Sequence, residues 1–396
     1  MTTKNIKIAL FGALIVALIL PVSSIGLVDA AEIKVPNEKD KTLEKEKHRQ
    51  IIDKNVEQYK AHMEKVIDLK ESISSAQINK LDTNEFESAL ANENARWDEI
   101  ASKIKTEHTI PENQMNSMMA DQRVFEERFL KTDLKNSIVS VGIDLITKEI
   151  EIGINVDPEE KDQIINSITE LMPETAPWHV YDSERVQLDS CSSEKYCVPL
   201  LGGNTVKTGL GTCSNGFKAT LGGVYGFVTA GHCTEGEDGN DVDDWNDDKL
   251  GEAGTETLFW GTDCDCGFVE ASSSETDNKT LLSTTSSVTV ASYTTASNQD
   301  NDFIYKSGQT NSGLTYGQVT ALNVSNSGYD PTIGFFYVTG LVKSTASSTG
   351  GDSGGAVMGG SNSDSLYGII QGHAGSNYYH TPSDNIIDTL GIAIVM

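Results

Sequence analysis

Positive charge is scarce in this sequence, above all in its second half. The 396 residues include 30 Lys and Arg against 58 Asp and Glu, which gives a net charge of −28 at pH 7. Residues 198–396 contain no arginine, and their six lysines stand against 22 acidic residues. A surface with this balance repels phosphate backbones and anionic lipid headgroups. We therefore expect neither a nucleic-acid nor a membrane partner for this part of the chain.

Long apolar runs are absent after the first 30 residues, so no later segment is predicted to span a membrane. At the start, Lys4 and Lys7 precede the uncharged stretch 8–20, and small residues follow near Ala30. This pattern is typical of a secretory signal peptide, which we assign to residues 1–30. The alternative is an uncleaved anchor, because 8–28 is 21 residues long and sufficient to cross a bilayer.

Cysteine is limited to six residues, and none lies within 31–135. Six cysteines after a signal peptide predict three disulfides in an oxidising compartment. The compartment and the signal pattern together predict a secreted, extracellular protein.

The N-terminal part of the chain has two compositions. Residues 31–135 are rich in Lys, Glu, Gln and Asn, and their apolar residues recur at helical spacing, with a boundary at Pro111. We predict two or three amphipathic helices here; a helical linker or stalk without a binding role is the alternative. Residues 136–190 instead predict a hairpin with strands over 137–145 and 149–156. A helix over 157–171 and a returning strand over 178–181 follow it.

From residue 200 onward the chain is rich in Gly, Ser, Thr and Val, with short alternating runs separated by turn residues. This pattern predicts an all-β sandwich or barrel. One helix is expected near the end, with Thr381 as its cap, Pro382 at its first position and Gly391 at its stop.

A candidate nucleophile lies in the hexapeptide 350–355, Gly-Gly-Asp-Ser-Gly-Gly. The Ser353 hydroxyl needs a nearby base to attack a carbonyl, and it needs N–H groups aimed at the developing oxyanion. A tight glycine turn is able to point the Gly351 and Ser353 amides at one spot. The alternative is a glycine-rich turn between two strands.

A candidate base and its orienting acid lie upstream. His232 follows the apolar run 224–228, and imidazole is the side chain best suited to proton transfer near neutral pH. Asp265 immediately precedes the apolar run 266–269, which suits an acid that orients the imidazole. Asp263 shares its face in an extended strand and is the second choice.

Three motifs now occur in order: Thr-Ala-Gly-His-Cys at 229–233, Asp-Cys-Gly-Phe-Val at 265–269 and Gly-Asp-Ser-Gly-Gly at 351–355. Together they resemble the chymotrypsin-like serine proteases, and the order His, Asp, Ser separates them from subtilisin-type and α/β-hydrolase enzymes. The intervals from His232 to Asp265 and from Asp265 to Ser353 are short. Together with the segments 306–320 and 367–376, they resemble the branch of alpha-lytic protease and the streptogrisins. The resemblance covers about residues 200–396.

This resemblance implies a trypsin-like, all-β protease domain over 191–396, with two six-stranded antiparallel barrels and a C-terminal helix. It implies an α+β propeptide before that domain, with a helical part over 31–135 and an α/β part over 136–190. We place the maturation cut within 183–199 and expect the propeptide to remain a binding partner and inhibitor until it is cut.

The resemblance also assigns roles to individual residues. His232, Asp265 and Ser353 are implied as the catalytic triad, and the amides of Gly351 and Ser353 as the oxyanion hole. A disulfide is implied between Cys213 and Cys233. The substrate pocket is implied to be lined by Ser347, Gln371, Gly372 and His373.

No Lys or Arg occurs at these pocket positions, and no acid stands at Ser347. We therefore expect an uncharged pocket that accepts apolar or medium-sized side chains. The alternative is that His373 hydrogen-bonds an acidic side chain.

Four cysteines remain to be paired. Cys264 and Cys266 would share a face of an extended strand, with Cα atoms near the ~7 Å upper limit for a disulfide. We therefore favour pairing one or both with Cys191 or Cys197. A four-thiolate zinc site is the alternative.

We expect no required cofactor. The densest acidic stretch, 235–248, offers carboxylate oxygens of the kind that calcium prefers, although its spacing does not match an EF-hand loop. A solvated acidic loop is the simpler interpretation.

The sequence as a whole predicts a monomeric, secreted serine endopeptidase that is made as a proenzyme and acts on proteins or peptides. The alternative is a secreted adhesin or scaffold with a protease fold, with little activity or with self-processing alone.

Overall fold

The computed structural model describes residues 38–173, 176–185, 187–188, 199–236, 239–244, 246–257, 261–282, 286–310, 314–330 and 334–396. The predicted signal segment, Cys191 and Cys197 lie outside these described residues. No helix within the described part of the chain is long and apolar enough to cross a membrane.

Helices dominate the N-terminal part, where three form in the region for which two or three were predicted. The helices are α1 (Glu38–Ile78), α2 (Asn84–His108), α3 (Glu112–Phe129), α4 (Lys161–Leu171) and, near the C-terminus, α5 (Ser383–Leu390). α3 starts directly after Pro111, at the predicted boundary.

Two helix starts differ from the sequence prediction. α4 begins at Lys161 rather than 157, because Glu160 N–H donates to the Asp157 carbonyl (2.9 Å) and closes a turn there. α5 begins at Ser383, because Thr381 belongs to the preceding strand and does not act as the cap. The predicted stop is correct, since Gly391 adopts φ +68° and its N–H donates to the Ile387 carbonyl (2.8 Å).

Short strands make up most of the rest of the chain. They are β1 (Ile138–Asp144), β2 (Glu149–Ile154), β3 (Trp178–Asp182), β4 (Gln187–Leu188), β5 (Leu200–Gly202), β6 (Thr205–Thr208), β7 (Gly211–Ser214), β8 (Phe217–Leu221), β9 (Val224–Thr229), β10 (Asp241–Asp243), β11 (Lys249–Thr257), β12 (Cys266–Ala271), β13 (Thr276–Leu281), β14 (Ser287–Thr289), β15 (Ser292–Tyr293), β16 (Phe303–Ser307), β17 (Thr315–Asp330), β18 (Gly334–Ser344), β19 (Ala356–Gly359), β20 (Ser365–Ala374), β21 (Asn377–Pro382) and β22 (Ile392–Ile394).

Six of these strands close into a barrel, which we call the second barrel. They pair in the order β16, β19, β20, β21, β18, β17, and the β16–β17 pairing completes the circle. Val319, Val342, Val357 and Ile370 are buried together in one of its apolar clusters. Closure gives each of the six strands two neighbours, although β20 extends past the end of its pairing with β19 at Ile369.

A second group of strands forms an eight-stranded antiparallel sheet in the order β22, β8, β9, β12, β11, β10, β6, β7, which we call the first sheet. Its core includes Val206, Phe227 and Val269, all fully buried. The two strand assemblies confirm the predicted all-β domain. The first sheet has eight strands where six were predicted, and β14, β13 and β5 form a separate three-stranded sheet.

The N-terminal region is built directly onto the second barrel. β1 pairs antiparallel with β17, and β2 and β3 continue the sheet outward. On α1 and α2, the buried Tyr59 and Trp97 both contact the Phe303 ring of β16, with centroids 5.5 and 5.1 Å apart. The helices therefore bury their apolar face against the barrel, which the helical periodicity alone did not reveal.

A partly buried carboxylate lies where α3 meets β17. Glu126 accepts hydrogen bonds from Ser325 Oγ (2.6 Å) and Gln122 Nε2 (3.0 Å). Burial raises the pKa of the Glu126 carboxyl above its ordinary value. A carboxyl with a raised pKa in the folded state loses its stabilising contribution as the pH rises through that pKa. Glu126 therefore weakens this junction at neutral pH relative to mildly acidic pH.

We expect Glu126→Gln to raise the melting temperature of the full chain at pH 7, because the amide oxygen keeps both hydrogen bonds and the buried charge is lost. A gain of about 1 kcal/mol corresponds to about 2 °C in a chain of this size. Calorimetry at pH 4.5 and pH 7, in a Ser353→Ala background that keeps the chain intact, measures the effect. Glu127→Gln, at an exposed position of the same helix, is the control. An equal effect of both variants, or none at pH 7, would contradict the argument.

Candidate active site

The first sheet delivers His232 to the site. β9 ends at Thr229, and residues Gly231–Cys233 form a short 3₁₀ turn. A disulfide joins Cys233 to Cys213 at the end of β7, as the resemblance implied, with Cα atoms 6.3 Å apart. The turn is thus fixed on both sides, and the His232 side chain is only 7 % exposed.

Asp265 binds His232 twice. One carboxylate oxygen accepts from the His232 backbone N–H (2.9 Å) and the other contacts the imidazole Nδ1 (2.7 Å). Asp265 is fully buried, and its carboxylate can only accept, so Nδ1 carries the proton. The remaining ring nitrogen, Nε2, is therefore the basic atom of His232.

Asp263, the second candidate for this role, is held elsewhere. Its carboxylate accepts from the Thr339 hydroxyl, and its carbonyl accepts from Asn385 Nδ2 (3.1 Å). Asp265 precedes β12 by one residue, whereas Asp263 belongs to the connection before it. Of the two candidates, the structure brings Asp265 to His232.

Ser353 lies on a tight turn between the two strand assemblies. Its carbonyl accepts from Ser214 N–H (2.8 Å), and Ser214 follows the disulfide-bonded Cys213. Gly354 has φ +83°, and a side chain there would collide with Thr229 Oγ1. The turn therefore places Ser353 near the end of β9, the strand that His232 follows. The Ser353 hydroxyl is buried and donates to the Gln371 carbonyl (3.1 Å).

The turn before Ser353 is held by a glycine in the left-handed region and by side-chain hydrogen bonds. Gly351 adopts φ +93°, and its carbonyl accepts from Ser214 Oγ (2.8 Å). The carboxylate of Asp352 anchors the turn by accepting from the N–H groups of Thr310 and Thr349, both at 3.0 Å. The Gly351 and Ser353 amides are the candidate donors to an oxyanion.

The four predicted pocket residues lie on two segments of the second barrel. Gln371, Gly372 and His373 follow one another on β20, and the Ser347 carbonyl accepts from Thr315 Oγ1 (2.6 Å) at the start of β17. Gln371 is buried, and its amide makes two hydrogen bonds with the Asn326 amide (2.8 and 3.2 Å). Gln371 therefore supports the wall of the pocket rather than lying free in it.

Lys306 is a residue of this region that the sequence analysis missed. It lies on β16, fully buried, opposite Thr315 in the β16–β17 pairing. Its Nζ is 5.5 Å from the centre of the Tyr378 ring, which is itself 6.0 Å from the His373 ring. A buried lysine thus lies near His373, one of the predicted pocket residues, and the sequence analysis did not consider it. A lysine within the apolar run 303–307 is the sequence feature that marks it.

The predicted pairing of Cys264 or Cys266 with Cys191 or Cys197 is wrong. The structure joins Cys264 to Cys266, with Cα atoms 5.4 Å apart. The prediction assumed a fully extended strand, but Cys264 lies before β12 begins and the backbone is more compact there. Asp265 lies between the two bonded cysteines.

The described acidic residues near 235–248 make local contacts. Asp241 and Asp247 pair with Lys249 and Lys207 (both 2.6 Å), and the Asp244 carboxylate accepts from the N–H groups of Asn246 and Asp248. Calcium binding in this loop stays a prediction.

Comparison with known proteins adds to this geometry. No family model matches the chain. It is 32 % identical over 212 residues to glutamyl endopeptidase 2 of Streptomyces griseus, which covers 50 % of this chain and all of that protein. It is 31 % identical over 207 residues to serine protease 1 of Streptomyces fradiae, covering 49 % of this chain and 52 % of that protein. The solved structure of Thermobifida fusca protease A is 26 % identical, with a TM-score of 0.41, over 50 % of this chain and 98 % of that one.

Relatives named as serine proteases match the part of the chain that holds the strand assemblies and the His–Asp pair. The chain belongs to the chymotrypsin-like serine proteases, and its relatives place it among the serine-type endopeptidases. Its substrates are therefore proteins or peptides.

We expect Asp265→Asn to lower kcat by about 10⁴-fold, because an amide no longer holds the imidazole in the tautomer with an unprotonated Nε2. Asp263→Asn, two residues away and turned toward Thr339, should change kcat by less than about twofold. Steady-state kinetics on a peptide substrate measure both. Comparable losses in the two variants would show that this segment matters only for stability.

Proposed function

We propose that this chain is a secreted serine endopeptidase, made as a proenzyme, that cuts peptide bonds through Ser353, His232 and Asp265. The observation that carries the proposal is the double contact of the buried Asp265 carboxylate with His232, beside a serine on a glycine turn. The signal-like segment 1–30 and the Cys213–Cys233 disulfide support secretion.

The reaction follows the usual order for these groups. Ser353 Oγ attacks the peptide carbonyl while His232 Nε2 takes its proton, and the Gly351 and Ser353 amides bind the oxyanion. The imidazolium returns the proton to the leaving amine, and an acyl-enzyme remains on Ser353. Water, deprotonated by His232, then releases the acid and restores the serine. Because Ser353 Oγ donates to the Gln371 carbonyl in the structure, the hydroxyl must first turn toward His232.

The N-terminal region supports the proenzyme part of the proposal, because it occupies the substrate groove. β4 pairs antiparallel with β20, with Gln187 opposite His373 and Leu188 opposite Gly372. An extended substrate would add to the edge of this same strand. As long as β4 is in place, it competes with substrates for the groove.

Polar contacts away from the groove strengthen this attachment. Glu151 of β2 forms a buried ion pair with Lys343 of β18. On α1, Lys70 Nζ donates to the Asn362 carbonyl (2.8 Å) in the turn between β19 and β20. The region 47–188 therefore holds the second barrel at several points, as an inhibitory propeptide would.

We further propose that the enzyme cuts after acidic residues. The name of the Streptomyces griseus relative supports this preference, and so do His373 and the buried Lys306 cation near the proposed pocket. This choice replaces the uncharged pocket expected from the sequence. The acidic residues of the predicted interval 183–199 are Glu184, Asp189 and Glu194, and only a cut after one of the last two would detach β4 from the mature enzyme. We therefore place the maturation cut after one of these two; both lie outside the described residues.

Ser353→Ala should lower turnover by about 10⁶-fold, the size of loss seen when a serine protease of another fold loses its nucleophile. It should also leave the secreted chain uncut if maturation is autocatalytic. Intact-mass analysis and fluorophosphonate labelling test both, with a wild-type product expected to begin at Ser190 or Lys195. A Ser353→Ala chain that is still cut would assign maturation to another protease. An unlabelled wild-type chain would favour the scaffold.

The preference is tested with peptide substrates that carry Glu, Gln or Phe before the cut bond. We expect kcat/KM for Glu to exceed that for Gln by about 10- to 100-fold, the value of one or two hydrogen bonds to a charged group. His373→Leu should reduce this ratio without lowering turnover of the Phe substrate. If the wild-type enzyme cuts the Phe substrate fastest, the pocket prefers apolar side chains and the proposed acidic preference is wrong.

A further inference from the structure

The segment that carries Asp265 has an unusual covalent feature, because the cysteines on either side of this residue are bonded to each other. Cys264 and Cys266 are both fully buried and belong to the apolar cluster that contains Phe268, Ile386 and others. Neighbouring residues of an extended chain point to opposite faces. The disulfide therefore faces the core, while Asp265 faces His232.

Asp265 has little other support for its backbone. The ladder of β12 begins only at Cys266, which pairs with Thr257. Asp265 N–H donates to Thr381 Oγ1, and the Thr381 hydroxyl donates to the Asp265 carbonyl, both at 3.4 Å. Hydrogen bonds of that length are weak. Apart from the two contacts of its carboxylate with His232, Asp265 is thus held mainly by the ring that the disulfide closes.

The ring also changes the shape of the backbone. The Cα atoms of Cys264 and Cys266 are 5.4 Å apart, whereas two residues along a strand span about 6.6 Å. The bond therefore holds Asp265 in a more compact conformation than a regular strand would give. In that conformation one carboxylate oxygen reaches the His232 backbone N–H and the other reaches Nδ1.

We propose that the Cys264–Cys266 disulfide is a positioning element for catalysis, which fixes Asp265 in the orientation that serves His232. The inference rests on the catalytic role proposed above for Asp265. Neither sulfur touches the reacting atoms, so the effect acts through the carboxylate. Its removal should lower kcat, because displacement of a catalytic group by about 1 Å is able to cost about 10²-fold in rate. Substrate binding should be unaffected.

The test is the Cys264→Ala/Cys266→Ala variant of the full chain, after disulfide mapping of the wild-type protein. We expect kcat to fall about 10- to 100-fold, with KM within about twofold of wild type. The far-downfield proton resonance of His232 Nδ1–H should broaden or disappear. Phe268→Leu, two residues along in the same cluster, is the matched control: it should lower the melting temperature while kcat and the resonance stay unchanged.

Three results would overturn the inference. The first is a map that pairs Cys264 or Cys266 with Cys191 or Cys197. The second is a double variant with kcat within about twofold of wild type and an unchanged resonance. The third is a Phe268→Leu variant with the same kinetic loss. If Asp265→Asn retains activity, the proposed catalytic role fails as well; if it is inactive while the double variant is fully active, only the inference fails.

A second measurement applies if the double variant does not fold. Wild-type mature enzyme is partly reduced under native conditions, and its free thiols are then identified by differential alkylation. Activity should fall in proportion to the fraction with Cys264 and Cys266 reduced. Full activity in a sample with this bond open would contradict the proposal.

Discussion

The buried carboxylate of Asp265 is the constraint on which the rest of the site depends. A charge with no exposure to water is costly unless hydrogen-bond donors surround it. His232 supplies two of them, from its backbone and its ring, so the ring cannot turn without leaving the carboxylate partly unsatisfied. The Cys213–Cys233 bond and the glycine turn at Gly354 then bring Ser353 to the same place. The disulfide and the glycine turn are explained by the residues that they hold near the Asp265–His232 pair.

Much of this site could be predicted from the sequence, because triad chemistry restricts both residue type and local context. A histidine at the end of a buried strand and a serine among glycines are recognisable without coordinates. The choice between Asp263 and Asp265 depended on where β12 starts. The pairing of Cys264 with Cys266 was missed because two-residue spacing was judged for a straight strand, whereas the chain is more compact there.

Contacts between distant parts of the chain were not predictable in the same way. Helical periodicity identified the apolar faces of α1 and α2, but it did not say that Tyr59 and Trp97 would meet Phe303. Alternation predicted the hairpin β1–β2, but an exposed edge accepts any partner, and its pairing with β17 depends on tertiary structure. Lys306 escaped notice because its neighbour Tyr378 is 72 positions away.

The two halves of the enzyme have separate tasks under the proposed mechanism. The first sheet supplies His232, and Asp265 lies just before one of its strands, β12. The second barrel supplies Ser353, the substrate strand β20 and the contacts to β1, β4 and Glu151. Removal of the N-terminal region would leave Lys343 without the Glu151 carboxylate, and a buried charge that loses its partner is destabilising by several kcal/mol, about 3–5 in measured cases. Release is therefore favourable only if water reaches Lys343 as the N-terminal strands leave. Because the same barrel holds β20, the proposed release would expose Lys343 and open the substrate groove together.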